Sequence, residues 1–383
     1  MIYLDNAATT KVDPQVIEAM TESLTEYWGN PSSAHESGSK AKRRLEEARV
    51  QIALLMQCFP DEVYFTSGGT EADNWAVMGV LDYFRGKKSH FITVATEHHA
   101  VIETAEWLEK RGNPVTILSV NKEGVLDPEQ VRDAISDETA LVSVMYVNNE
   151  LGTIQDIPRI GDICREAGVL FHSDCVQSFG KLPLDFKTMN CDLAAISSHK
   201  IHGPKGVGAL IIKRGTKLSA RTIGGGQERG LRTGTENTPG IIGFGKAAEL
   251  ARLSLDDEMV RIRSMRDRLE QRILNEIPDT VVNGSRRHRS SAPLNVSFKN
   301  CDGEALLIAL DRKGFCVSTG SACSSGATGA SHVLMALGMT MEDARASLRI
   351  SFGRFNSDSD VDALMDVLPG LVQKQRETSP LFS

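Results

Sequence analysis

Short apolar runs alternate with helical patterns along the middle of this chain, and this alternation restricts the possible folds more than any other feature. Seven runs rich in β-branched, aromatic or other apolar residues are separated by stretches whose apolar residues recur three or four positions apart. Strands that alternate with helices in this way favour a mostly parallel sheet with helices on both faces. The predicted strands are 63–66, 91–95, 115–119, 141–147, 169–172, 193–197 and 207–212. The sequence therefore predicts an α/β fold with a mostly parallel (mixed) central sheet flanked by helices.

Helices are predicted before and after this region, and the pattern of strands and helices changes beyond the last of them. Asp13 and Pro14 are typical of a helix start, and the apolar face predicted for this helix is Val16, Met20, Leu24 and Trp28. A second helix carries Ala41, Leu45, Ala48, Ile52 and Leu55, and a long one carries Met259, Ile262, Met265, Leu269, Ile273 and Ile277. Beyond it, runs at 295–298, 315–318 and 348–352 alternate with helices. We expect a large domain over 14–255 and a smaller α+β domain made of 1–13 and 256–383.

Composition excludes several classes of protein. The 383 residues carry a net charge of −7, and 41% of them are hydrophobic, which allows a large buried core but disfavours nucleic-acid binding. No apolar run approaches the roughly 18 residues that cross a bilayer, so no membrane association is expected. The start lacks a basic stretch followed by an apolar one, which predicts a cytoplasmic location. The 7 cysteines form no Cys-x-x-Cys pair, which favours free thiols.

Two ionisable residues follow predicted strands directly. Asp174 comes just after the run 169–172, and Lys200 just after 193–197. Ligands of parallel sheets bind at the carboxyl ends of the strands. An acid there can hold a proton on a heterocyclic nitrogen, and a lysine there can form an imine with an aldehyde. Each also has an ordinary alternative, since an acid can cap the next element and most lysines are solvated.

Three further segments are candidates for the same edge. The run 67–74 (SGGTEADN) opens a helix after a strand, which suits phosphate binding or simple helix capping. His98 can stack on a ring and move protons, whereas its neighbour His99 has a structural role. The side-chain amide of Asn149 is a candidate ligand at the same sheet edge, and the alternative is that Asn149 belongs to an ordinary turn. His199 and His202 lack further ligands at zinc-like spacing, so no metal site is expected.

Cys323 lies in a run of small residues, 318–326 (STGSACSSG). Cys58 and Cys164 occupy apolar helical patterns and fit inert core positions. Cys323 has no packing reason of this kind and is a candidate for a reactive, exposed thiol.

Together these segments resemble the cysteine desulfurases of the NifS/IscS type, within the class V aminotransferase branch of the fold-type I pyridoxal-phosphate enzymes. The resemblance spans nearly the whole chain. Besides the segments above, it includes 3–10 (YLDNAATT), 29–33 (GNPSS), 231–237 (LRTGTEN), 320–323 (GSAC) and 348–354 (LRISFGR). Several motifs that match the same family in the same order identify it more specifically than any single motif does. In one departure, Cys175 stands where the family usually has alanine. Its two interpretations are tuning of the cofactor ring and filling of space, and we favour the second.

The resemblance implies a role for each matching residue. Lys200 would carry pyridoxal 5'-phosphate as an imine, Asp174 would pair with the ring nitrogen, and His98 would stack on the ring. The other implied cofactor ligands are Gln177 and Asn149 at the ring hydroxyl, Gly69, Thr70, Ser197 and His199 at the phosphate, and Thr235 from the neighbouring subunit of a homodimer. Arg349 would anchor the substrate carboxylate, since its planar fork matches two oxygens, with help from Asn30.

The resemblance also implies the reaction. L-cysteine would be converted to L-alanine, with Lys200 removing the α-proton and Cys323 accepting the sulfur as a persulfide. The sulfur would pass to an iron–sulfur scaffold or another sulfur-acceptor protein, and the tail 379–382 (SPLF) resembles that of members serving such scaffolds. The alternatives are a selenocysteine lyase, another pyridoxal-phosphate lyase or transaminase, or a sulfur-relay platform without catalysis.

Overall fold

The computed structural model describes residues 1–320 and 330–378. Its strands are β1 (Ile2–Tyr3), β2 (Val63–Thr66), β3 (His90–Val94), β4 (Val115–Leu118), β5 (Thr139–Ser143), β6 (Leu170–Asp174), β7 (Leu193–Ser197), β8 (Gly208–Ile212), β9 (Thr280–Asn283), β10 (Pro293–Phe298), β11 (Phe315–Cys316) and β12 (Ser347–Ser351). Its α-helices are α1 (Pro14–Thr25), α2 (Glu36–Met56), α3 (Gly69–Tyr83), α4 (His99–Glu109), α5 (Pro128–Ala134), α6 (Ile157–Ala167), α7 (Thr238–Glu276), α8 (Gly303–Asp311), α9 (His332–Ala336), α10 (Met341–Arg345), α11 (Asp358–Met365) and α12 (Leu368–Thr378).

The predicted α/β architecture is confirmed by a seven-stranded sheet in the order β2-β8-β7-β6-β5-β3-β4. The strands β4, β3, β5, β6 and β7 pair in parallel, whereas β8 is antiparallel to both of its neighbours. Alternate residues of each strand enter cores on opposite faces, as the two-residue period of a strand requires. On β2, Phe65 joins the core that includes α2, α6 and the first part of α7, while Tyr64 joins the core beneath α3 and α4.

A second group of strands lies towards the carboxyl end of the chain. The antiparallel sheet β12-β10-β9 and the parallel pair β1-β11 surround a separate apolar core. Leu4 belongs to this core, so the first residues of the chain pack with its last third. The separation of this core from those of the large sheet supports the predicted division into 14–255 and 1–13 plus 256–383, which stays a prediction.

The long helix α7 connects the core shared with α2 and α6, here called the large core, to the separate core around β10 and β12, here called the small core. Its first part contributes Ile241 and Phe244 to the large core, and its second part contributes Met265 and Leu269 to the small one. The predicted boundary near residue 255 therefore lies inside a continuous helix of 39 residues, and not in a linker.

The face predicted for α1 is wrong at its carboxyl end. Asp13 caps the helix by accepting a hydrogen bond from the backbone N–H of Gln15, and Val16 is buried as expected. Leu24, however, is 63% exposed and Trp28 is 73% exposed. The helix ends at Thr25, so Trp28 lies beyond the last turn and does not share the helical face.

Candidate active site

The segments that follow five strands of the large sheet lie at one of its edges. The strands β3, β5, β6 and β7 are parallel, and β2 has the same direction as β7 because β8 is antiparallel to both. This direction brings the segments that follow these strands to a common edge, which is where such sheets bind ligands. The candidates that follow them are Gly69 after β2, His98 after β3, Asn149 after β5, Asp174 and Gln177 at the end of β6, and Lys200 after β7.

Lys200 ends a 3₁₀ turn, Ser198–Lys200, directly after β7. Its Nζ donates to the carbonyl oxygens of Ala7 and Ala8, both at 2.7 Å. The amine is thus held by the segment 5–10, which comes from the opposite end of the sequence. A half-buried primary amine placed in this way can react with an aldehyde.

Asp174 is buried at the end of β6, with 3% of its surface exposed. Its Oδ1 accepts a hydrogen bond of 2.8 Å from the backbone N–H of Val176. Burial raises the pKa of this carboxyl to about 6, against the opposing effects of that hydrogen bond and of the Lys200 ammonium. A buried carboxylate is stabilised by a cationic partner, so this position suits a ligand that presents a protonated nitrogen.

Gln177 is engaged within the chain at both ends of its amide. Nε2 donates to the carbonyl of Ala7 at 2.9 Å, and Oε1 accepts from Nζ of Lys181 at 2.7 Å. Burial lowers the pKa of Lys181 to about 7. Lys181 was not predicted from the sequence, where its only signal is its place four residues after Gln177.

His98 precedes α4 and caps it. Its Nδ1 accepts a hydrogen bond of 3.1 Å from the backbone N–H of Ala100, so the ring proton is assigned to Nε2. Burial, and then the Lys200 ammonium, lowers the pKa of His98 to about 4. The imidazole is therefore neutral at pH 7, which suits stacking against an aromatic ring.

The start of α3 forms a narrow cradle. A methyl group added to Gly69 would lie 2.8 Å from Cγ2 of Val176 and 3.7 Å from Cβ of Ser197, so these three residues meet closely. The residue that caps α3 is Gly68, and no side chain makes a capping hydrogen bond there. The first N–H groups of a helix bind anions well, and the exposed Thr70 adds a hydroxyl at the second position of the helix.

His199 lies between Ser197 and Lys200 and is half-buried. Its Nδ1 is 3.0 Å from Oγ1 of Thr9, and burial lowers its pKa to about 3. The ring is neutral at physiological pH, so any hydrogen bond it offers to an anion is that of a neutral imidazole.

Arg349 extends from β12 and is 2% exposed. Its Nη2 pairs with Oδ1 of Asp5 at 2.8 Å, and its Nη1 donates to the carbonyl of Asn149 at 3.3 Å. Within the described ranges its Nε has no hydrogen-bond partner although it is buried. A buried guanidinium with one unused donor suits the binding of a carboxylate.

Two candidates, Asn30 and Thr235, make no hydrogen bond to this cluster among the described residues. Asn30 is exposed between α1 and α2, where its Oδ1 accepts from the backbone N–H of Ser32 at 2.9 Å. Thr235 is exposed between the 3₁₀ turn Gln227–Gly230 and α7. Cys323 lies outside the described residues, as does the tail 379–382.

The segment 5–10 is the main part of the site that residue-by-residue reasoning missed. Asp5 binds Arg349, the carbonyls of Ala7 and Ala8 bind Lys200, and Thr9 binds His199. The sequence showed this segment only as one of the matching motifs, because its partners lie about 190 to 340 residues further along the chain.

Cys175 is fully buried in the large core, where desolvation raises the pKa of its thiol to about 12. A protonated, enclosed thiol agrees with its interpretation as a space-filling residue. The other cysteines in the described ranges are Cys58, Cys164, Cys191, Cys301 and Cys316, and all six are free thiols.

None of the helices described has both the length and the apolarity that crossing a bilayer demands.

Comparison with known proteins agrees with this arrangement. The aminotransferase class-V family model matches residues 2–364. The cysteine desulfurase IscS of Methanosarcina thermophila is 47% identical over 380 residues, covering 99% of this chain and 94% of that protein. A solved NifS-like protein superposes with a TM-score of 0.92 at 35% identity, covering 97% of this chain and 99% of its own. SspA, solved in complex with cysteine, superposes with a TM-score of 0.83 at 36% identity, covering 93% of this chain and 100% of its own.

The fold and the site define a class V aminotransferase, and the chain belongs to that family and, within it, to the cysteine desulfurases of the NifS/IscS type.

Proposed function

We propose that this protein is a pyridoxal-phosphate-dependent cysteine desulfurase, which converts L-cysteine to L-alanine and passes the sulfur on as a persulfide. The observation that carries the proposal is the convergence of Lys200, Asp174 and His98 at one sheet edge beside a buried arginine. Relatives at 45–47% identity over nearly the whole chain are named cysteine desulfurases, which supports the same reaction here.

The residues of the site fit pyridoxal phosphate. Asp174 is a buried carboxyl that a protonated ring nitrogen would stabilise, and Lys200 supplies an amine for the aldehyde. The cradle at Gly69 and Ser197, with Thr70 and His199, offers donors for the phosphate. Gln177 and Asn149 are proposed partners of the ring hydroxyl. When bound, the cofactor supplies an electron sink for carbanion chemistry next to the substrate nitrogen.

The chain's own groups provide binding and proton transfer. Arg349 is proposed to bind the substrate carboxylate through its unused Nε–H, with Asn30 as a second candidate, while Asp5 fixes the orientation of the guanidinium. Nζ of Lys200 is proposed to remove the α-proton. His98 presents a neutral Nε2–H, so it adds no positive charge that would compete with the Lys200 amine.

Sulfur transfer is proposed to occur at Cys323. Its thiolate would attack the sulfur of the bound cysteine, so that an S–S bond forms and the substrate Cβ–S bond breaks. The carbon skeleton would then gain one proton at Cβ, regain one at Cα in place of the proton that Lys200 removed, and leave as alanine. The persulfide would pass to an iron–sulfur scaffold or another acceptor protein.

We also propose that the enzyme acts as a cytoplasmic homodimer. The exposure of Thr235 on the segment before α7 supports its assignment to a neighbouring subunit's phosphate site.

The test compares Lys200→Ala and Cys323→Ala with the wild type. In Lys200→Ala we expect the visible absorption of the bound cofactor imine to disappear and alanine release from L-cysteine to fall at least about 1,000-fold. In Cys323→Ala the absorption and its change on adding L-cysteine are retained, while alanine release falls at least about 100-fold.

Two substitutions serve as controls, the exposed Lys205→Ala and the half-buried Cys316→Ala, and both should keep the wild-type rate. Normal turnover by Lys200→Ala would contradict the whole proposal. Alanine release by Cys323→Ala at the wild-type rate would remove the persulfide step and favour another lyase reaction on the same cofactor.

A further inference from the structure

Glu150 contacts the chain on both sides of the segment that contains Cys323. The residue is 4% exposed, and its Oε2 accepts a hydrogen bond of 2.6 Å from the hydroxyl of Ser331. Gly320 packs on the same carboxyl so closely that an added methyl group would overlap Oε2 of Glu150, and it would lie 3.0 Å from Cβ of Ser331. One buried carboxyl therefore joins residues 320 and 331.

The turn that presents Glu150 is itself rigidly held. Oδ1 of Asn148 accepts from the backbone N–H groups of Glu150 and Leu151, both at 2.9 Å. Nδ2 of Asn148 donates to the carbonyl of Thr96 at 2.9 Å, and Asn148 is 3% exposed. Glu150 thus extends from a turn fixed to the end of β3, so its carboxyl can serve as a firm attachment point.

Ser331 transmits this attachment to α9. Its hydroxyl donates to Glu150 and accepts a hydrogen bond of 3.3 Å from the backbone N–H of Leu334 in the first turn of the helix. Leu334 packs in a small core with Leu151, the residue that follows Glu150. The polar and the apolar contacts therefore join the same two elements.

The charge of Arg349 faces the same carboxyl. Burial raises the pKa of Glu150 to about 7, while the Ser331 hydrogen bond and the Arg349 guanidinium oppose that rise. Arg349 also donates to the carbonyl of Asn149, the neighbour of Glu150. The turn 148–151 is thus adjacent to the proposed substrate anchor on one side and to residues 320 and 331 on the other.

We infer that Glu150 is a positioning residue for sulfur transfer, which uses its contacts with Gly320 and Ser331 to fix the two ends of the Cys323 segment relative to the proposed substrate site. This inference rests on the proposed function for the role of Cys323. The contacts themselves lie entirely within described residues. Removing the carboxyl should leave cofactor and substrate binding intact and impair the step that needs the thiol.

The test uses holoenzyme carrying Glu150→Ala, Ser331→Ala or both. We expect kcat for alanine release to fall about 10- to 100-fold, while KM for L-cysteine stays within about twofold and the visible spectrum is retained. Hydrogen exchange should become faster in peptides covering 318–320 and 330–334. The loss of kcat in the double variant should be smaller than the product of the two single losses, because both changes remove the Glu150–Ser331 bond and only Ser331→Ala removes the bond to Leu334. Glu150→Gln keeps an acceptor oxygen and should recover most of kcat.

Two controls match these substitutions elsewhere in the fold. Glu62 is also buried and accepts hydrogen bonds from the backbone N–H groups of Phe59 and Arg214, and Ser297 is a buried serine that donates to the carbonyl of Asp343. Glu62→Ala and Ser297→Ala test whether the loss of any buried polar group lowers kcat, and neither should alter exchange at residues 320 and 331.

The inference is overturned if kcat of Glu150→Ala equals that of Glu62→Ala, if KM rises in parallel with the loss of kcat, or if the effects of Glu150→Ala and Ser331→Ala add. If Glu150→Ala folds poorly, Ser331→Ala, which removes only a hydroxyl, decides the same question. If the wild type releases no alanine from L-cysteine, the proposed function fails. In that case, the exchange rates and the rate of Cys323 alkylation by iodoacetamide still report whether Glu150 fixes the two ends.

Discussion

His202 is a neutral, enclosed imidazole whose two nitrogens both have partners. Nδ1 donates to the carbonyl of Lys11 at 2.9 Å, and Nε2 accepts from the backbone N–H of Arg354 at 3.4 Å. Burial lowers its pKa to about 4, against an ordinary value near 6.5. Above pH 6.5 both the folded and the unfolded forms are neutral. Between pH 6.5 and 4 only the unfolded chain takes up this proton, so stability is lost as the pH falls.

The substitution His202→Asn tests this residue, because asparagine tolerates the left-handed backbone (φ 66°) found there and does not titrate. On going from pH 7.5 to pH 5, the free energy of unfolding should fall by roughly 2 kcal/mol more in the wild type than in the variant. Urea unfolding at both pH values measures this difference. An equal fall in both proteins would show that the buried ring takes up the proton in the folded state.

The residue scale also shows what the sequence can and cannot predict. Lys200 and Asp174 could be proposed from the sequence because each follows an apolar run, a local pattern that parallel sheets use for ligands. The pairing of Arg349 with Asp5, and the carboxyl of Glu150 between residues 320 and 331, join parts of the chain that are far apart in sequence. The periodicity of apolar residues along the sequence does not predict such long-range contacts, so they are seen only in the folded chain.

At the scale of elements, a buried ion pair attaches the turn before α7 to α2 and β2. Oε1 and Oε2 of Glu228 accept from Nη2 and Nη1 of Arg49 at 2.8 and 2.9 Å, and Oε2 also accepts from the backbone N–H of Phe65. The two side chains are 2% and 5% exposed. Replacing Glu228 by glutamine would leave the buried guanidinium of Arg49 with only the half-exposed Glu46 as its counter-charge. We therefore expect a loss of about 3 kcal/mol in the free energy of unfolding, the lower end of the range for a broken buried pair.

Denaturant unfolding of Glu228→Gln measures this loss, and Asp61→Asn is the matched control. Asp61 forms a similar two-pronged pair with Arg214, but both side chains are more than half exposed, so water replaces the lost partner. Equal losses in the two variants would mean that burial does not determine the contribution of the Arg49 pair.

Two strands of the large sheet, β2 and β7, have the predicted limits, because in each the apolar run ends where the strand ends. The equally buried strand β5 was predicted at 141–147 but spans Thr139–Ser143, since the apolar run continues beyond the strand. The half-exposed strand β9 was missed because its short sequence has no clear period. For α1, spacing predicted which residues share a helical face, but not where the helix ends or what covers that face.

At the scale of the whole molecule, α7 determines how the two cores unfold. Because one helix of 39 residues enters both cores without interruption, we expect wild-type unfolding to be a single cooperative transition. Leu253 lies between the two buried parts of the helix and is 67% exposed, so replacing it changes the backbone without opening a cavity. Proline there removes the hydrogen bond to the carbonyl of Glu249 and collides with it, at a cost of about 3 kcal/mol or more.

Leu253→Pro should therefore separate calorimetric unfolding into two transitions, one for each proposed domain, while Leu253→Ala keeps one transition near the wild-type temperature. Alanine release should fall in the proline variant alone, because Lys200 and Arg349 belong to different cores and must keep a fixed distance to act on one substrate. A single transition in Leu253→Pro would show that contacts between the two parts of the molecule, such as those of Lys200 with segment 5–10 and of Ser331 with Glu150, and not the continuity of α7, join them.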